Sequence, residues 1–393
     1  MPSEFHRSFQ REVEDGLRGL EARDQRRSLV EICGVNLCSN DYLGLAESDE
    51  LRAAVLEAVR EAPRVGGTGS RLLSGHLEVW DALEQEFAQF AGTEAALYFG
   101  SGYAANVGLL TSVLRKADVV FSDELNHASL IDGIRMSGAS KIIYPHLDVN
   151  ALEQGLRARA NENTAGRKFV VTESVFSMDG DVAPLAELRA LCDRYSAGLI
   201  LDEAHATGVH GPSGRGMAVE SGCEADVVAL THTCGKALAS AGAFVCGSAA
   251  LKEQLINHAR MFIFSTAMPP YMSGQIRAAL RLAQGMDTER SALIARSRRL
   301  ASGLRAQGYD TAGSSTQILP VVIGRNEEAM AAAEFLQTHG FAVRAIRPPT
   351  VQKGRSRLRL SITCAIAADE LNRLENCLGS WRSQRLALAA GCS

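Results

Sequence analysis

Apolar residues recur along this chain with two periods. Near the N-terminus Phe9, Val13, Leu17 and Leu20 return at three- and four-residue steps. That spacing predicts a charged amphipathic helix over Phe5 to Arg27. A strand-like run, Val35 to Cys38, leads into a polar turn at Ser39 to Tyr42. A second helical stretch covers Leu51 to Arg60, followed by the Gly-rich loop Val65 to Arg71. From there short apolar runs alternate with helical patterns. The runs are Ala95–Phe99, Val119–Phe121, Lys141–Tyr144, Phe169–Thr172, Leu199–Leu201, Val227–Leu230 and Phe244–Cys246. Helical patterns between them include Ala104–Leu114, Ala128–Met136, Val149–Arg159 and Leu185–Tyr195. Strict alternation of this kind predicts an α/β domain with a mainly parallel sheet. Several runs are apolar throughout, as when helices cover both sheet faces.

A long helical stretch from Tyr271 past Arg299 is expected to link this domain to a smaller one. There, strand-like runs at Ile318–Ile323, Phe341–Ile346 and Leu358–Thr363 mix with helical patterns at Glu327–Thr338 and Ala368–Leu378. The pattern is α+β, and no internal repeat is visible.

Composition narrows the function classes. The chain has 393 residues, 46% of them hydrophobic and 22% charged, which suits an enzyme of two or three domains. Lys and Arg total 41 against 45 Asp and Glu, a net charge of −4. A generally basic nucleic-acid binder and an acidic disordered tail are both excluded. Glycine is abundant at 36 and proline sparse at 10, a balance that suits tight turns and close backbone approaches more than linkers. The nine cysteines are scattered, with no C-x-x-C pair, so neither a disulfide framework nor a zinc site is indicated. A reducing, cytoplasmic location is the simplest expectation. The N-terminus mixes acids with arginines and lacks an apolar targeting core. No apolar run approaches the roughly 18 residues that span a bilayer.

Familiar nucleotide and hydrolase motifs fail. Asp202-Glu-Ala-His205 spells a helicase acidic box, but no Walker loop accompanies it. Gly235-Lys236 is followed by Ala237, and the required upstream glycine is Leu230. Gly67-Thr-Gly69 does not complete G-x-G-x-x-G, because position 72 is Leu. There is no G-x-S-x-G and no H-E-x-x-H.

What remains is a set of polar residues at strand ends. Asp202 and His205 follow one apolar run, and Lys236 follows the next, within Thr233-Cys-Gly-Lys. Ligands of open parallel sheets bind at the carboxyl ends of the strands. Gly100-Ser-Gly-Tyr103 lies between a strand and a helix, where free backbone N–H groups bind anions. His127 opens another helix just after a strand. Each residue alone has a plainer reading, as a surface charge, a helix cap or a turn. Together, in order and at one edge, they match the needs of pyridoxal phosphate. That cofactor takes a Schiff-base lysine, a carboxylate at its ring nitrogen, an anion cradle and a flat group on the ring. Lys236, Asp202, Gly100–Tyr103 and His127 would supply these, with His205 or Ser177 near the ring oxygen.

At these residues the sequence resembles the α-oxoamine synthases, a branch of the fold-type I pyridoxal phosphate transferases. The matching runs are Ser39-Asn-Asp-Tyr-Leu-Gly-Leu45, Asn126-His-Ala-Ser-Leu130, Val175-Phe-Ser-Met-Asp-Gly-Asp181, Leu201-Asp-Glu-Ala-His-Ala-Thr-Gly208, Thr233-x-Gly-Lys236, Arg347-Pro-Pro-Thr350 and Arg357-Leu-Arg-Leu360. They span most of the chain, from about Ser39 to Thr363. The resemblance implies an N-terminal helical arm packing with the small domain (1–46), a large cofactor-binding domain (47–283) and a small C-terminal domain (284–393).

It also implies roles. Lys236 would carry the cofactor and move protons. Asp202 would pair with the ring nitrogen, His205 and Ser177 would lie near the ring oxygen, and His127 would stack on the ring. Backbone N–H groups of Gly102 and Tyr103, with Thr233, would hold the phosphate. Arg359 would clamp the amino-acid carboxylate, for which a guanidinium fork is well shaped. Asn40 and Thr350 would face the acyl substrate, with Arg26 or its neighbour Arg27 as the N-terminal arginine. Thr266 would serve the partner subunit in a homodimer whose active site lies at the interface. The Arg-Pro-Pro-Thr run favours the members that join L-alanine to a pimeloyl thioester in biotin synthesis, the acyl group arriving on coenzyme A or a carrier protein. Rival readings are a glycine-using synthase, an aminotransferase, and a catalytically silent partner subunit. Retention of Lys236 and Asp202 argues against the last. Cys234, beside the lysine, reads as a small packing residue.

Overall fold

A computed structural model describes residues 3–31, 33–160 and 166–391. Twelve strands occur among them: β1 (Val35–Asn36), β2 (Ala95–Phe99), β3 (Val119–Asp123), β4 (Ser140–Tyr144), β5 (Lys168–Glu173), β6 (Ala197–Asp202), β7 (Ala229–Thr233), β8 (Ala243–Gly247), β9 (Ile318–Gly324), β10 (Phe341–Ala342), β11 (Ala345–Ile346) and β12 (Ser356–Ser361). Chain contacts group residues 40–295 with 363–365 in one compact unit. Residues up to 39, 296–362 and those from 366 onward form the other. The divides fall at 39/40 and 295/296, where the resemblance implied 46/47 and 283/284.

The larger unit is built on a seven-stranded sheet of order β2-β8-β7-β6-β5-β3-β4. Only β8 runs against both of its neighbours; the other pairings are parallel. Strands β3 and β7 are buried along their whole length and β5 along nearly all of it, as when helices cover both sheet faces, and each turns polar toward its carboxyl end. Edge strand β4 leaves Lys141 in solvent, a charge that discourages edge pairing.

The helix Gly102–Val113 lies in the core, with Ala105, Val107, Leu109 and Leu110 all buried. It is apolar on every side, as a core helix should be. Against it packs the helix Ala128–Ser137. Their close approach depends on Gly133, where a Cβ would lie 2.8 Å from the Leu110 side chain. This contact brings the helix that His127 opens beside residue 106.

Several elements differ from the sequence expectation. The N-terminal helix is Glu4–Glu21, and none of its residues is buried. The long linker is two helices, Tyr271–Gln284 and Asp287–Ala306. Gly285 closes the first, and Asp287 and Glu289 begin the second, where acids suit a helix start. The run Val227–Leu230 becomes β7 at Ala229–Thr233, so Thr233 ends a strand.

In the smaller unit β11-β12-β9 form an antiparallel sheet, and β1 pairs with β10. The expected strand Phe341–Ile346 is therefore two short pieces in different sheets. Cys392 lies outside the described residues; the other eight cysteines are free thiols.

Candidate active site

The carboxyl ends of β5, β6 and β7 open on a cavity of about 400 Å³. Its wall includes Gly102, Tyr103, Asn106, His127, Glu173, Asp202, His205, Thr233 and Lys236. Glu173 and Asp202 end adjacent strands and are paired in register. Lys236 sits on the connection between β7 and β8. There Cys234 N–H donates to the Gly242 carbonyl at 2.9 Å and Ala239 N–H to the Lys236 carbonyl at 2.9 Å. Because β8 is antiparallel to β7, this connection turns back at the same sheet edge and keeps the lysine there.

Lys236 Nζ is 2.9 Å from His205 Nε2. On the far side of the ring, His205 Nδ1 is 2.7 Å from the Tyr42 hydroxyl. That hydroxyl donates to Asn40 Oδ1 at 3.0 Å. A phenol has one hydrogen, so with it on Asn40 the imidazole donates from Nδ1 and presents its Nε2 lone pair to the lysine.

Asp202 is buried and both of its oxygens are partnered. Oδ1 accepts from Ala204 N–H at 2.8 Å and Oδ2 from Asn106 Nδ2 at 2.7 Å. Asn106 Nδ2 also reaches Ser129 Oγ at 2.9 Å. His127 caps the start of its helix, its Nδ1 accepting from Ser129 N–H at 3.2 Å and lying 2.8 Å from Ser129 Oγ. Burial, helped by the nearby Lys236 charge and opposed by Asp202, holds the His127 imidazole below its ordinary pKa. Its neutral form prevails at neutral pH.

Glu173 is a buried part of the same wall. Oε2 accepts from Ser177 N–H at 3.2 Å, and Oε1 has no hydrogen-bond partner among the described residues. Burial, then the charge of Asp202, pushes its carboxyl up to about 8.

The first turn of the core helix also faces the cavity. Ser101 Oγ caps Ala104 N–H at 3.1 Å. The N–H groups of Gly102 and Tyr103 have no intrahelical acceptor, as at any helix start. A Cβ on Gly102 would stand 2.7 Å from Thr233 Cγ2, so glycine is what lets this turn approach the end of β7. These features fit pyridoxal phosphate: an amine, a fully partnered carboxylate, a flat neutral imidazole and an anion cradle face one space.

The other expected site residues are placed as follows. Ser177 is buried but does not line the wall. Its loop, Val175 to Val182, is closed by a bridge between those two residues and clamped by His146, which bonds Asp123 at 2.8 Å and Asp181 at 2.7 Å. Thr266 pairs with Ser70 and is not on the wall. In the smaller unit, Arg359 is buried on β12 and donates to Ser361 Oγ at 2.6 Å. Arg26 pairs with Glu21 at 3.1 Å, whereas it is Arg27 that donates to Thr350 Oγ1, at 3.1 Å.

Tyr42, Asn106, Ser129 and Glu173 are site residues that the sequence reading did not single out. Some signals were present. Glu173 follows an apolar run as Asp202 does, and Asn106 is an amide inside an apolar helix.

Residues 33–376 match the aminotransferase class I and II family. An 8-amino-7-oxononanoate synthase of Geobacter sulfurreducens is 48% identical over 343 residues, 86% of this chain and 86% of its own. A serine palmitoyltransferase of Sphingomonas wittichii superposes with a TM-score of 0.85 at 30% identity, covering 90% of this chain and 88% of that one. The crystal structure of an 8-amino-7-oxononanoate synthase from Francisella tularensis superposes with a TM-score of 0.76 at 25% identity, covering 90% and 99%. The chain belongs to the class I and II aminotransferase family of pyridoxal phosphate enzymes and, within it, to the 8-amino-7-oxononanoate synthases.

Proposed function

We propose that this enzyme condenses L-alanine with a pimeloyl thioester, giving 8-amino-7-oxononanoate, carbon dioxide and the free thiol. The observation that carries the reading is the 2.9 Å contact of Lys236 Nζ with His205 Nε2 in a cavity shared with the Asp202 carboxylate.

Pyridoxal phosphate, when bound, supplies the electron sink that stabilises negative charge at the amino acid's α-carbon. Lys236 Nζ moves the α-proton, and His205 Nε2 is placed to accept a hydrogen bond from it. Asp202, oriented by Asn106 and Ala204 N–H, would hold a proton at the ring nitrogen. Gly102 and Tyr103 N–H and the Thr233 hydroxyl would hold the phosphate. His127 would lie against the ring and meet the acyl carbonyl. Ser177 supports the ring-oxygen side through its contact with Glu173. Arg359 binds the substrate carboxylate, Asn40 and Thr350 face the acyl chain, and an N-terminal arginine, Arg26 or Arg27, completes that end. The enzyme works as a cytoplasmic homodimer with Thr266 serving the partner's site. The donor is pimeloyl-coenzyme A or a pimeloyl carrier protein. No helix among the described residues is long and apolar enough to cross a membrane.

A second reading, serine or glycine with another acyl donor, draws on the serine palmitoyltransferase likeness. A thiol-release assay separates the two, crossing alanine, glycine and serine with pimeloyl, acetyl, succinyl and palmitoyl thioesters. Alanine with the pimeloyl donor is expected to exceed every other pair. Preferred turnover of serine with palmitoyl, or glycine with acetyl, would overturn the proposal.

A further inference from the structure

The hydrogens between Asp202 and His127 can be counted. Asn106 Nδ2 lies 2.7 Å from Asp202 Oδ2 and 2.9 Å from Ser129 Oγ. A carboxylate only accepts, so the group facing it must be the amide nitrogen, and its two hydrogens serve these two contacts. Ser129 Oγ therefore accepts from Asn106. Its one hydrogen is left for His127 Nδ1, 2.8 Å away. Ser129 N–H donates to the same nitrogen at 3.2 Å. Two donors converge on Nδ1, so that nitrogen carries no proton. A neutral imidazole then has its proton on Nε2.

Asn106 and Ser129 are both buried, and Asn106 Oδ1 has no partner among the described residues. The amide thus sits in a place where its carbonyl gains nothing, held by what its nitrogen donates. Leaving a buried carbonyl unpaired weakens the folded state. A residue kept at such a cost invites a reason beyond packing. The charged groups that bear on the His127 imidazole are Asp202 and Lys236, while Glu173 meets only its backbone N–H. Asp202 favours the imidazolium, while burial and Lys236 oppose it.

We propose that Asn106 and Ser129 are positioning residues that lock His127 as the Nε2–H tautomer, making it a hydrogen-bond donor to the substrate side of the cavity and not a base. The inference rests on the reading of this cavity as the reaction site. It assigns His127 one kind of step, polarising the acyl carbonyl or a departing carboxylate, and leaves proton abstraction to Lys236.

The test is ¹⁵N NMR of the histidine-labelled holoenzyme, with the His127 signal assigned by its loss in His127→Gln. The wild type is expected to show a single Nε2–H tautomer at neutral pH. In Ser129→Ala the Nδ1–H form should appear alongside it, and kcat should fall by about tenfold, the loss of roughly one such hydrogen bond. Ser129→Thr, which keeps the hydroxyl, should restore both. An Nδ1–H or doubly protonated His127 in the wild type would overturn the proposal, as would a Ser129→Ala spectrum like that of the wild type. The wild-type spectrum decides the matter even if a variant does not fold. The tautomer is read without turnover. A correct tautomer in an enzyme that prefers other substrates would therefore count against the proposed function and not against this lock.

Discussion

The hydroxyl of Tyr42 lies 2.7 Å from Nδ1 of His205, across 163 residues of sequence, and His205 Nε2 in turn lies 2.9 Å from Lys236 Nζ. The tyrosine, fully buried, sets which nitrogen of the imidazole meets the lysine. Orienting partners of this kind commonly matter as much as the group they orient.

Tyr42→Phe removes this bond with almost no change in shape. It is expected to lower kcat by about tenfold, in line with the loss of roughly one buried hydrogen bond. The melting temperature should shift by only a few degrees. Steady-state kinetics and a thermal melt check it; an unchanged kcat would remove Tyr42 from the orienting role.

Gly102→Ala places a methyl 2.7 Å from Thr233 Cγ2. Overpacking of this kind costs about 1–3 kcal/mol, here at the expected phosphate end. The affinity of the apoprotein for pyridoxal phosphate is expected to fall by about tenfold or more, read by absorbance titration. Undiminished affinity would show that the close approach of the helix start to β7 is dispensable.

His146 ties the end of β3 to the Ser177 loop through Asp123 and Asp181. Burial alone would lower its pKa, but hydrogen bonds and charge from the two aspartates outweigh that and push it up to about 10. A folded-state pKa raised above the unfolded value gives stability that is full below about 6.5 and is lost as pH rises through about 10. His146→Ala removes the cation between two carboxylates and is expected to cost about 3–5 kcal/mol. The deficit relative to wild type should shrink at high pH, as measured by denaturant unfolding across pH 6 to 10.

Glu173 makes the matching prediction for an acid. Its pKa is raised to about 8 by burial and then by Asp202. Its contribution is therefore full below the ordinary carboxyl range and is lost as pH rises through about 8. Glu173→Gln, neutral at every pH, should gain in stability relative to wild type between pH 5 and pH 9. A difference independent of pH would mean that Glu173 is ionised throughout.

Arg27, bonded to Thr350, and Arg26, bonded to Glu21, differ in their surroundings. Arg27→Ala is expected to raise KM for the acyl donor several-fold more than Arg26→Ala, with kcat for either variant little changed. Equal effects would leave the N-terminal arginine unassigned.

Much of this was legible in the sequence. The apolar runs at Ala95–Phe99 and Leu199–Leu201 lie within strands β2 and β6, and Leu185–Tyr195 is a helix as its spacing predicts. Asp202, His205 and Lys236 could be grouped because acids and amines just beyond apolar runs must emerge at one sheet edge. Other features were not readable. Phe341–Ile346 divides between two sheets because strand partners, not periodicity, decide where pairing stops. The linker breaks at Gly285-Met286, where a helical pattern alone continues.

The sequence by itself determined the α/β class, the cofactor chemistry at one sheet edge and, through its motifs, the family. Its local periods and residue types carry that information directly. Only the tertiary structure decided which donor faces which acceptor. Tyr42 meets His205, Asn106 links Asp202 to Ser129, and Arg27 takes Thr350, across gaps of up to 323 residues. A hydrogen bond depends on distances of about 3 Å and on the number of hydrogens each group holds. Those distances exist only once the elements of each unit have packed.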